Sequence, residues 1–393
     1  MTALETPDHH GSHSDLVWTP HALADGTVDA IIVPTNRTPA YLEAAAGLAA
    51  RLGCTLVTLH SGARTSARQA SIKLGRDVNL IAVDIPDPSA LRLPEFETSG
   101  LVNGTRFARK TDTSAKRNLG LLLAHIIGWD RIVFLDDDII VRDPGELQRA
   151  AGLLGNYHAV GLRNLGYPDN SVVCHAFRMI GGGQDSFIGG GALAVETSRN
   201  LAFFPDVYNE DWFYLLDPEK GIQPLAMAGE MEQRPYDPFR DDERARREEF
   251  GDVLAEGIFW LLDQGRPLDS ADSAHWSDFL ERRKRFIGYI LEHLDRAKIG
   301  PAERQRVRSA LRASLGRLAC IEPDFCERYL KAWIRDRARW ERHLRTFRYD
   351  LTPEDALRSV SAKGRSPLVS VVRGMSGPSG RMLAAVGSPS DLA

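Results

Sequence analysis

Cysteine is scarce in this sequence and is not arranged for cysteine chemistry. The four cysteines, Cys54, Cys174, Cys320 and Cys326, are scattered and form no CxxC pair. The pattern therefore indicates neither a disulfide framework nor a cysteine-based zinc site. Thiols that stay reduced are typical of cytoplasmic proteins, and we expect a cytoplasmic location.

Long hydrophobic runs are missing too. The longest apolar stretch, from Leu119 to Ile127, is interrupted by His125 and is shorter than the roughly 18 residues of a membrane-spanning helix. The first residues are polar and rich in histidine from His9 to Ser14, without the apolar core of a signal peptide. We therefore expect no membrane span and interpret residues 1–26 as a flexible N-terminal extension.

The charge is modest overall but unevenly distributed. A formal net charge of −4 gives no general attraction to nucleic acid, and we expect no nucleic-acid partner. Residues 281–350, however, contain 19 Lys and Arg against 10 Asp and Glu. Such basic helices can be a solvated face, a homo-oligomer contact or a peripheral attachment at the inner face of the membrane. These three interpretations stay open.

Short β-branched segments alternate with helical segments in the first half of the chain. Nearly continuous apolar strands separated by helices predict an α/β, Rossmann-like fold whose mostly parallel sheet is covered on both faces. The predicted strands are 28–33, 55–59, 79–85, 131–135, 159–162 and 191–195, and the predicted helices are 40–52, 64–74 and 114–127. Ligands of such sheets bind beyond the carboxyl ends of the strands.

The remaining chain divides by composition. From Asp241 onward, apolar residues recur at three- and four-residue spacing, which predicts helices. The segment from Glu230 to Tyr236 is interpreted as a loop over the site. Residues after about position 360 are rich in Gly, Ser and Pro. We predict a catalytic α/β domain over 27–265, a basic C-terminal helical region over 266–360 and a disordered tail over 361–393.

Three consecutive carboxylates, Asp136, Asp137 and Asp138, directly follow the predicted strand 131–135. They repel one another, so their position at a strand end is costly unless a cation compensates. Carboxylate oxygens suit Mg²⁺ or Mn²⁺, which complete their shells with phosphate oxygens and water. A cation held in this way neutralises a diphosphate leaving group. A solvated acidic turn without a metal is the alternative.

Several motifs, taken in their order along the chain, resemble those of GT-A-fold glycosyltransferases, in particular the family 2 group and its retaining relatives. The resemblance covers roughly residues 29–213. It depends on Val33-Pro34-Thr35-Asn36-Arg37, Ser61-Gly62, Lys116-Arg117-Asn118, the DxD-like Phe134 to Asp138, Gly189-Gly190-Gly191-Ala192 and Asn209-Glu210-Asp211-Trp212. It implies a GT-A fold and the transfer of a sugar from a nucleotide-diphosphate sugar, with UDP or GDP as the preferred nucleotide, to an acceptor hydroxyl.

The resemblance also implies a role for each part of the donor site. Asp138 is expected to be the principal ligand of Mn²⁺ or Mg²⁺, with Asp136 as a second ligand that also faces the ribose or nucleotide. His175 is a further candidate metal ligand. The expected contacts of the nucleotide sugar are Pro34, Thr35, Arg37, Asp84, Lys116, Arg117, Asn118, Asp136 and Asp137. A plain surface charge is the alternative for each of Arg37, Lys116 and Arg117, and a solvated strand end is the alternative for Asp84.

The acceptor side is expected at Gly189, Gly190 and Gly191, because glycine lets a ligand approach the backbone closely. The resemblance makes Asp211 the general base that removes the acceptor hydroxyl proton, with Glu210 orienting it. Inversion at the anomeric carbon is then expected, although retaining relatives share the fold and the DxD motif. Complementing the dipole of the helix that begins here is the alternative role of this acidic pair.

Two other functions remain open. A nucleotidyltransferase that makes the sugar nucleotide shares the fold, but the glycine-rich first loop of that class is missing after Val33. A non-catalytic nucleotide-sugar-binding protein is the second. The sequence contains no GxGxxG fingerprint and no GxxxxGKS/T loop, which excludes dinucleotide-binding and P-loop proteins.

Overall fold

The computed structural model describes residues 6–20, 25–168, 171–183, 187–199, 201–362 and 368–374. The strands are β1 (Ala30–Thr35), β2 (Thr55–His60), β3 (Asn79–Asp84), β4 (Arg131–Leu135), β5 (Ile139–Ile140), β6 (Ala159–Asn164), β7 (Ala192–Glu196), β8 (Leu216–Asp217), β9 (Gly221–Ile222), β10 (Leu225–Gln233) and β11 (Ser370–Arg373). The α-helices are α1 (Glu43–Leu52), α2 (Ala67–Lys73), α3 (Glu97–Val102), α4 (Thr113–Ile127), α5 (Pro144–Leu153), α6 (Val172–Met179), α7 (Glu210–Tyr214), α8 (Asp242–Asp263), α9 (Ser273–His293), α10 (Pro301–Leu318), α11 (Pro323–Leu344) and α12 (Pro353–Ser359). Short 3₁₀ helices span Ser14–Leu16, Pro39–Leu42, Pro88–Ala90, Leu268–Ser270 and Leu294–Arg296.

One large mixed sheet organises the chain. Its strand order is β11-β3-β2-β1-β4-β7-β6-β10-β5. The pairs β3–β2, β2–β1, β1–β4 and β6–β10 are parallel, whereas β7 is antiparallel to both β4 and β6. A mostly parallel sheet with helices on both faces and further helices towards the C-terminus confirms the predicted α/β fold class.

Alternating side chains of the central strands enter two cores. In β1, Ile31 and Val33 pack on one face with apolar residues of α1 and α5, whereas Ile32 packs on the other face with α4. All three are completely buried. Strands covered on both faces need apolar residues at every position, which explains why the sequence predicted β1 to β4 with small errors at their ends.

The C-terminal helices belong to the same core as the sheet. Trp276 of α9 and Trp333 of α11 are fully buried in the cluster that contains Phe134 of β4. Asp336 of α11 accepts 2.8 Å hydrogen bonds from the amides of Glu97 and Thr98. These bonds satisfy backbone amides at the start of α3. The regions predicted over 27–265 and 266–360 therefore share one core.

The start of the chain differs from the prediction. A flexible extension was expected over 1–26, but residues 6–20 pack along α8 and α9. His13 is only 3% exposed, and Trp18 exchanges backbone hydrogen bonds of 3.0 and 2.8 Å with Leu225 and Met227 around β10. The local sequence is polar because its partners are carboxylates on α8, so composition alone indicated an extension. Residues 1–5 and 21–24 lie outside the described part.

Two predictions for later parts of the chain are corrected as well. The predicted disordered tail, 361–393, contains the strand β11, which pairs antiparallel with β3; residues 363–367 and 375–393 lie outside the described part. Most of the predicted loop Glu230–Tyr236 belongs to the strand β10, whose register shifts between Met227 and Glu230. Both strands are recognisable only from their neighbours, because neither has a continuous apolar run. Among the described helices, none combines the length and the apolar character that crossing a membrane requires.

Candidate active site

The acidic triplet lies in the turn between β4 and β5. Strand β4 ends at Leu135, which pairs with Ala192 of the antiparallel strand β7. The next amide, that of Asp136, donates a 2.9 Å hydrogen bond to the carbonyl of Gly191. The register of these two strands therefore places the triplet directly beside the predicted glycine loop.

Asp136 pairs with a cation from α4. Its Oδ1 lies 2.9 Å from Nη2 of Arg117, while 34% of the aspartate side chain stays exposed. Burial raises the pKa of Asp136 to about 6; Arg117 opposes this rise, and the carboxylates of Asp137 and Asp138 reinforce it. A second cation beside Asp136 would stabilise its ionised carboxylate in the same way as Arg117 does.

Asp137 and Asp138 share one guanidinium from the end of β1. Asp137 accepts 2.6 Å hydrogen bonds from Oγ1 of Thr35 and Nη1 of Arg37, and Oδ2 of Asp138 lies 3.1 Å from the same Nη1. Burial raises the pKa of Asp137, although Thr35 and Arg37 lower it. The Arg37 side chain is 39% exposed, so its other N–H groups are able to meet a phosphate.

The donor set of the triplet suits a hard divalent cation. Asp137 has two protein partners, Thr35 and Arg37, whereas Asp136 and Asp138 each contact one guanidinium and are the candidate ligands. In the described residues, no three carboxylate, imidazole or thiol ligand atoms at the triplet lie within 4.8 Å of one another. Mg²⁺ and related ions commonly use one or two carboxylates and take the rest of their shell from phosphate and water. The residues present therefore fit such an ion only together with a phosphate ligand.

Arg117 connects the triplet to the predicted catalytic acids. It is buried, with Nη2 on Asp136 and Nη1 3.1 Å from Oε1 of Glu210. Gly190 lies directly against this guanidinium, because a Cβ at position 190 would be 2.3 Å from Nη1 of Arg117. A side chain at position 190 would displace the guanidinium of Arg117 from its contacts with Asp136 and Glu210.

Asp211 is held by the glycine loop and by its own helix. The amide of Gly190 donates a 2.5 Å hydrogen bond to Oδ2 of Asp211, and the amide of Trp212 donates a 3.0 Å bond to Oδ1. Burial raises the pKa of Asp211, and the negative charge of Glu210 raises it further. A buried carboxylate with a raised pKa is a stronger base than an exposed one.

Two guanidinium groups favour the ionised form of Glu210. Its carboxylate lies 2.8 Å from Nη1 of Arg109 and 3.1 Å from Nη1 of Arg117. Although burial raises the pKa of Glu210, these two cations together hold it below its ordinary value. No sequence motif pointed to Arg109. Its contact joins residues that are 101 positions apart, and no local spacing signals such a pair.

A cavity of about 600 Å³ adjoins Asp211 and the glycine loop. Its wall includes Gly189, Gly191 and Asp211, together with the cations Arg163 and Arg178. The remaining lining residues are Ser14, Leu162, Asn164, Leu165, Gly166, Pro168, Ser171, Cys174, Phe187, Tyr208, Asn209, Trp212, Met227, Met231, Asp252 and Glu256. The mixture of polar groups and flat apolar side chains suits a hydroxylated molecule such as a sugar.

A second cavity, of about 540 Å³, lies at the carboxyl ends of β2 and β3. Asp84, predicted to face the nucleotide, lines it together with His60, Ser61 and Ile85. Oδ1 of Asp84 accepts a 2.6 Å hydrogen bond from the amide of Ala67, and burial raises the pKa of Asp84. This residue is therefore beside a ligand-sized space and also tied to the start of α2.

Two predicted nucleotide contacts are used inside the protein. Nζ of Lys116 lies 2.9 Å from the carbonyl of Thr35, 2.6 Å from Oγ of Ser61 and 3.0 Å from Oδ1 of Asp112, so its three N–H donors have partners. Asn118 exchanges two 2.8 Å hydrogen bonds with the backbone of Phe204.

These two residues fix the ends of β1 and β2 and the segment before α7. The neighbouring Pro34 is the fifth residue of β1 and is buried with the strand. The structure therefore places Lys116, Asn118 and Pro34 behind the candidate site and not on its surface.

His175, the additional metal candidate, has a different partner. Its Nε2 lies 2.9 Å from the hydroxyl of Tyr236, and its ring stacks with that of Tyr167. Burial lowers the pKa of His175 to about 3. The described residues include one group with three possible ligand atoms in mutual proximity, and neither His175 nor the triplet belongs to it.

Comparisons with known proteins give distant likenesses among solved structures. No protein-family model matches the chain, and no curated protein sequence matches it. A mannosyltransferase from Pyrobaculum calidifontis, solved with GDP-Man and Mn²⁺, is similar with 15% identity and a TM-score of 0.40, over 83% of this chain and 92% of that one.

A candidate nucleotide-diphospho-sugar transferase from Desulfovibrio desulfuricans G20 is similar with 11% identity and a TM-score of 0.31, over 64% of this chain and 99% of that one.

Proposed function

We propose that the chain is a metal-dependent glycosyltransferase that moves a sugar from a UDP- or GDP-type donor to an acceptor hydroxyl. One observation carries the proposal. Arg117 bridges Asp136 of the triplet and Glu210 of the acidic pair, while Gly190 and Gly191 hydrogen-bond to Asp211 and Asp136. Four separate segments thus bring the acidic triplet, the proposed diphosphate-and-metal site, close to the proposed base Asp211, which lines a cavity of about 600 Å³.

The donor is expected to lie along the carboxyl ends of the strands. Asp136 and Asp138 would hold Mn²⁺ or Mg²⁺, which supplies positive charge to the diphosphate leaving group when bound. Arg37, which follows β1 and contacts Asp137 and Asp138, has a partly exposed side chain and would bind a phosphate oxygen. The nucleoside would enter the cavity that Asp84 lines.

Asp211 would act as the general base. Its carboxylate takes the proton of the acceptor hydroxyl as the hydroxyl oxygen bonds to the anomeric carbon and the bond from that carbon to the diphosphate breaks. The guanidinium groups around Glu210 keep that neighbour ionised, and the negative charge raises the affinity of Asp211 for the proton. Attack opposite the leaving group gives inversion.

The test combines ligand binding with product identity. UDP- and GDP-sugars are screened with Mn²⁺ or Mg²⁺ by thermal shift, since a ligand that binds the native state raises its apparent stability. Turnover of the best donor is then measured as release of the nucleoside diphosphate in wild type, Asp138→Ala and the control Asp77→Ala, which changes an exposed aspartate before β3.

We expect wild type and Asp77→Ala to release nucleoside diphosphate with either metal and Asp138→Ala to lose metal-dependent turnover. Full activity of Asp138→Ala would refute the metal site. Release of pyrophosphate from a nucleoside triphosphate and a sugar phosphate would replace the proposal with a nucleotidyltransferase, and donor binding without turnover would replace it with a binding protein.

A further inference from the structure

A cluster of two imidazoles and a carboxylate joins the start of the chain to the end of α8. One potential ligand atom from each of His10, His13 and Asp263 lies within 4.8 Å of the other two. Nδ1 of His13 contacts Oδ2 of Asp263, and Nδ1 of His10 lies 3.4 Å from the same oxygen. The contact between His13 and Asp263 joins residues that are 250 positions apart in the sequence.

The residue types of the cluster match the donor set of a tetrahedral zinc site, but Nδ1 of His13 and Oδ2 of Asp263 contact each other directly, so a bound ion would have to replace that contact. Zinc binds imidazole nitrogen and carboxylate oxygen at about 2.0–2.2 Å, which puts neighbouring ligand atoms about 3.3 Å apart. Nδ1 of His10 is at that separation from Oδ2 of Asp263. The same nitrogen is buried yet makes no hydrogen bond. Three protein ligands leave the fourth position to water, and the His10 side chain is 39% exposed.

The surroundings of the cluster also favour a cation. The other ring nitrogen of His13, Nε2, lies 3.4 Å from Oε2 of Glu256, the carboxylate–imidazole arrangement that orients histidine ligands of zinc. Asp263 is the last residue of α8, where the negative end of the helix dipole adds to its own charge. Trp260 contacts the ring of His10 edge-on and covers one side of the group.

The polar segment that carries both histidines is held in place independently of the cluster. Asp8 pairs with Arg285 at 2.8 Å, and the ring of His9 stacks on Phe286. Further along, Trp18 is hydrogen-bonded to Leu225 and Met227 of the strand β10. The two imidazoles therefore face α8 from a fixed backbone, which lowers the entropy that ion binding costs.

We propose that His10, His13 and Asp263 form a site for a divalent cation of the zinc class, with Glu256 orienting His13. The bound ion fastens residues 6–20 to α8 next to the 600 Å³ cavity, which Ser14 and Glu256 also line. This site is separate from the acidic triplet and does not depend on the proposed glycosyl transfer. Its donors are nitrogen and oxygen, so it selects zinc over Mg²⁺.

The test measures Zn²⁺ binding to chelator-stripped full-length protein by isothermal titration calorimetry. Wild type is compared with His10→Ala, Asp263→Asn and Glu256→Gln, with circular dichroism to confirm that each variant is folded. We expect one Zn²⁺ per chain, an at least tenfold weaker affinity without His10 or Asp263, and about a ten- to hundredfold loss for Glu256→Gln. Asp77→Ala, which changes an exposed aspartate outside both proposed sites, should bind Zn²⁺ like wild type.

Asp263→Asn separates this site from adventitious binding. A loose histidine-rich segment would bind Zn²⁺ whatever stands at position 263, so unchanged affinity in Asp263→Asn overturns the proposal. Stripped wild type that binds no Zn²⁺ at all overturns it as well and leaves His13 as the centre of an ion-pair cluster with Asp263 and Glu256. Cobalt substitution adds a spectroscopic check, since a tetrahedral site gives intense visible bands that the Asp263→Asn variant should lack.

Discussion

The guanidinium of Arg117 and the backbone of Gly190 are in contact so close that a β-carbon at position 190 would lie 2.3 Å from Nη1. The same guanidinium contacts Asp136 through Nη2 and Glu210 through Nη1. The glycine loop and the two acidic motifs are therefore mechanically linked through one side chain.

We predict that Gly190→Ala displaces Arg117 and impairs donor turnover. A shift of about 1 Å in a positioning group costs about a hundredfold in rate, and overpacking a filled site costs about 1–3 kcal/mol of unfolding free energy. Turnover and chemical denaturation measure the two effects. Gly47→Ala on α1, where a Cβ meets nothing within 4 Å, is the control and should leave turnover unchanged; equal activity of the two variants would contradict the prediction.

Removal of the bridge itself should destabilise the fold. Arg117→Ala leaves two carboxylates, Asp136 and Glu210, without the cation between them, and breaking a buried ion pair costs about 3–5 kcal/mol. The pKa values of both acids rise in the variant, so its folded state takes up protons and the deficit shrinks as the pH falls. Denaturant unfolding at several pH values checks this. Arg142→Ala, an exposed partner of Glu232, should unfold like wild type.

Asp211→Asn should separate chemistry from binding. The amide keeps the size of the side chain but cannot accept the acceptor proton, and loss of a general base costs about 10²–10⁴-fold in rate. We expect kcat to fall by that factor while the Kd of the donor stays within about threefold. In wild type, kcat should decrease as the pH falls through the raised pKa of Asp211, since protonation removes the base. A kcat close to wild type in the variant would assign the base elsewhere.

His60 predicts an acid limit to stability. It is fully buried at the end of β2, between the hydroxyls of Thr58 and Thr65 at 2.8 Å each, and burial followed by the charge of Lys116 lowers its pKa from 6.5 to about 4. A lowered folded-state pKa means that the full contribution is present above pH 6.5 and is lost as the pH falls towards 4, which amounts to roughly 3 kcal/mol at pH 4.

The measurement is the free energy of unfolding of wild type and His60→Gln between pH 4 and 8. Glutamine preserves hydrogen bonding to the threonine hydroxyls but does not titrate. The slope between pH 6.5 and 4 should therefore be shallower in His60→Gln than in wild type. Parallel curves for the two proteins would show that His60 does not titrate differently in the folded and unfolded states.

Particular elements show why sequence prediction succeeded where it did. The strand β4 and the helix α4 were predicted within a residue or so, because continuous burial demands apolar runs that are visible locally. The strands β10 and β11 were missed, since an edge or interrupted strand takes its hydrogen bonds from a neighbour and needs no such run. The docking of residues 6–20 was missed for the same reason, because the partners of His13 lie on α8.

By itself, the sequence determined the α/β class, the order of the central elements and the presence of carboxylates at the end of β4. Those features follow from local periodicity and from the repulsion of adjacent like charges. Only the tertiary structure decided that Lys116 and Asn118 face inward, that Arg117 joins Asp136 to Glu210, and that His10 meets Asp263. Contacts of this kind join residues separated by up to hundreds of positions, and their energy depends on distance in space, which local sequence patterns do not encode.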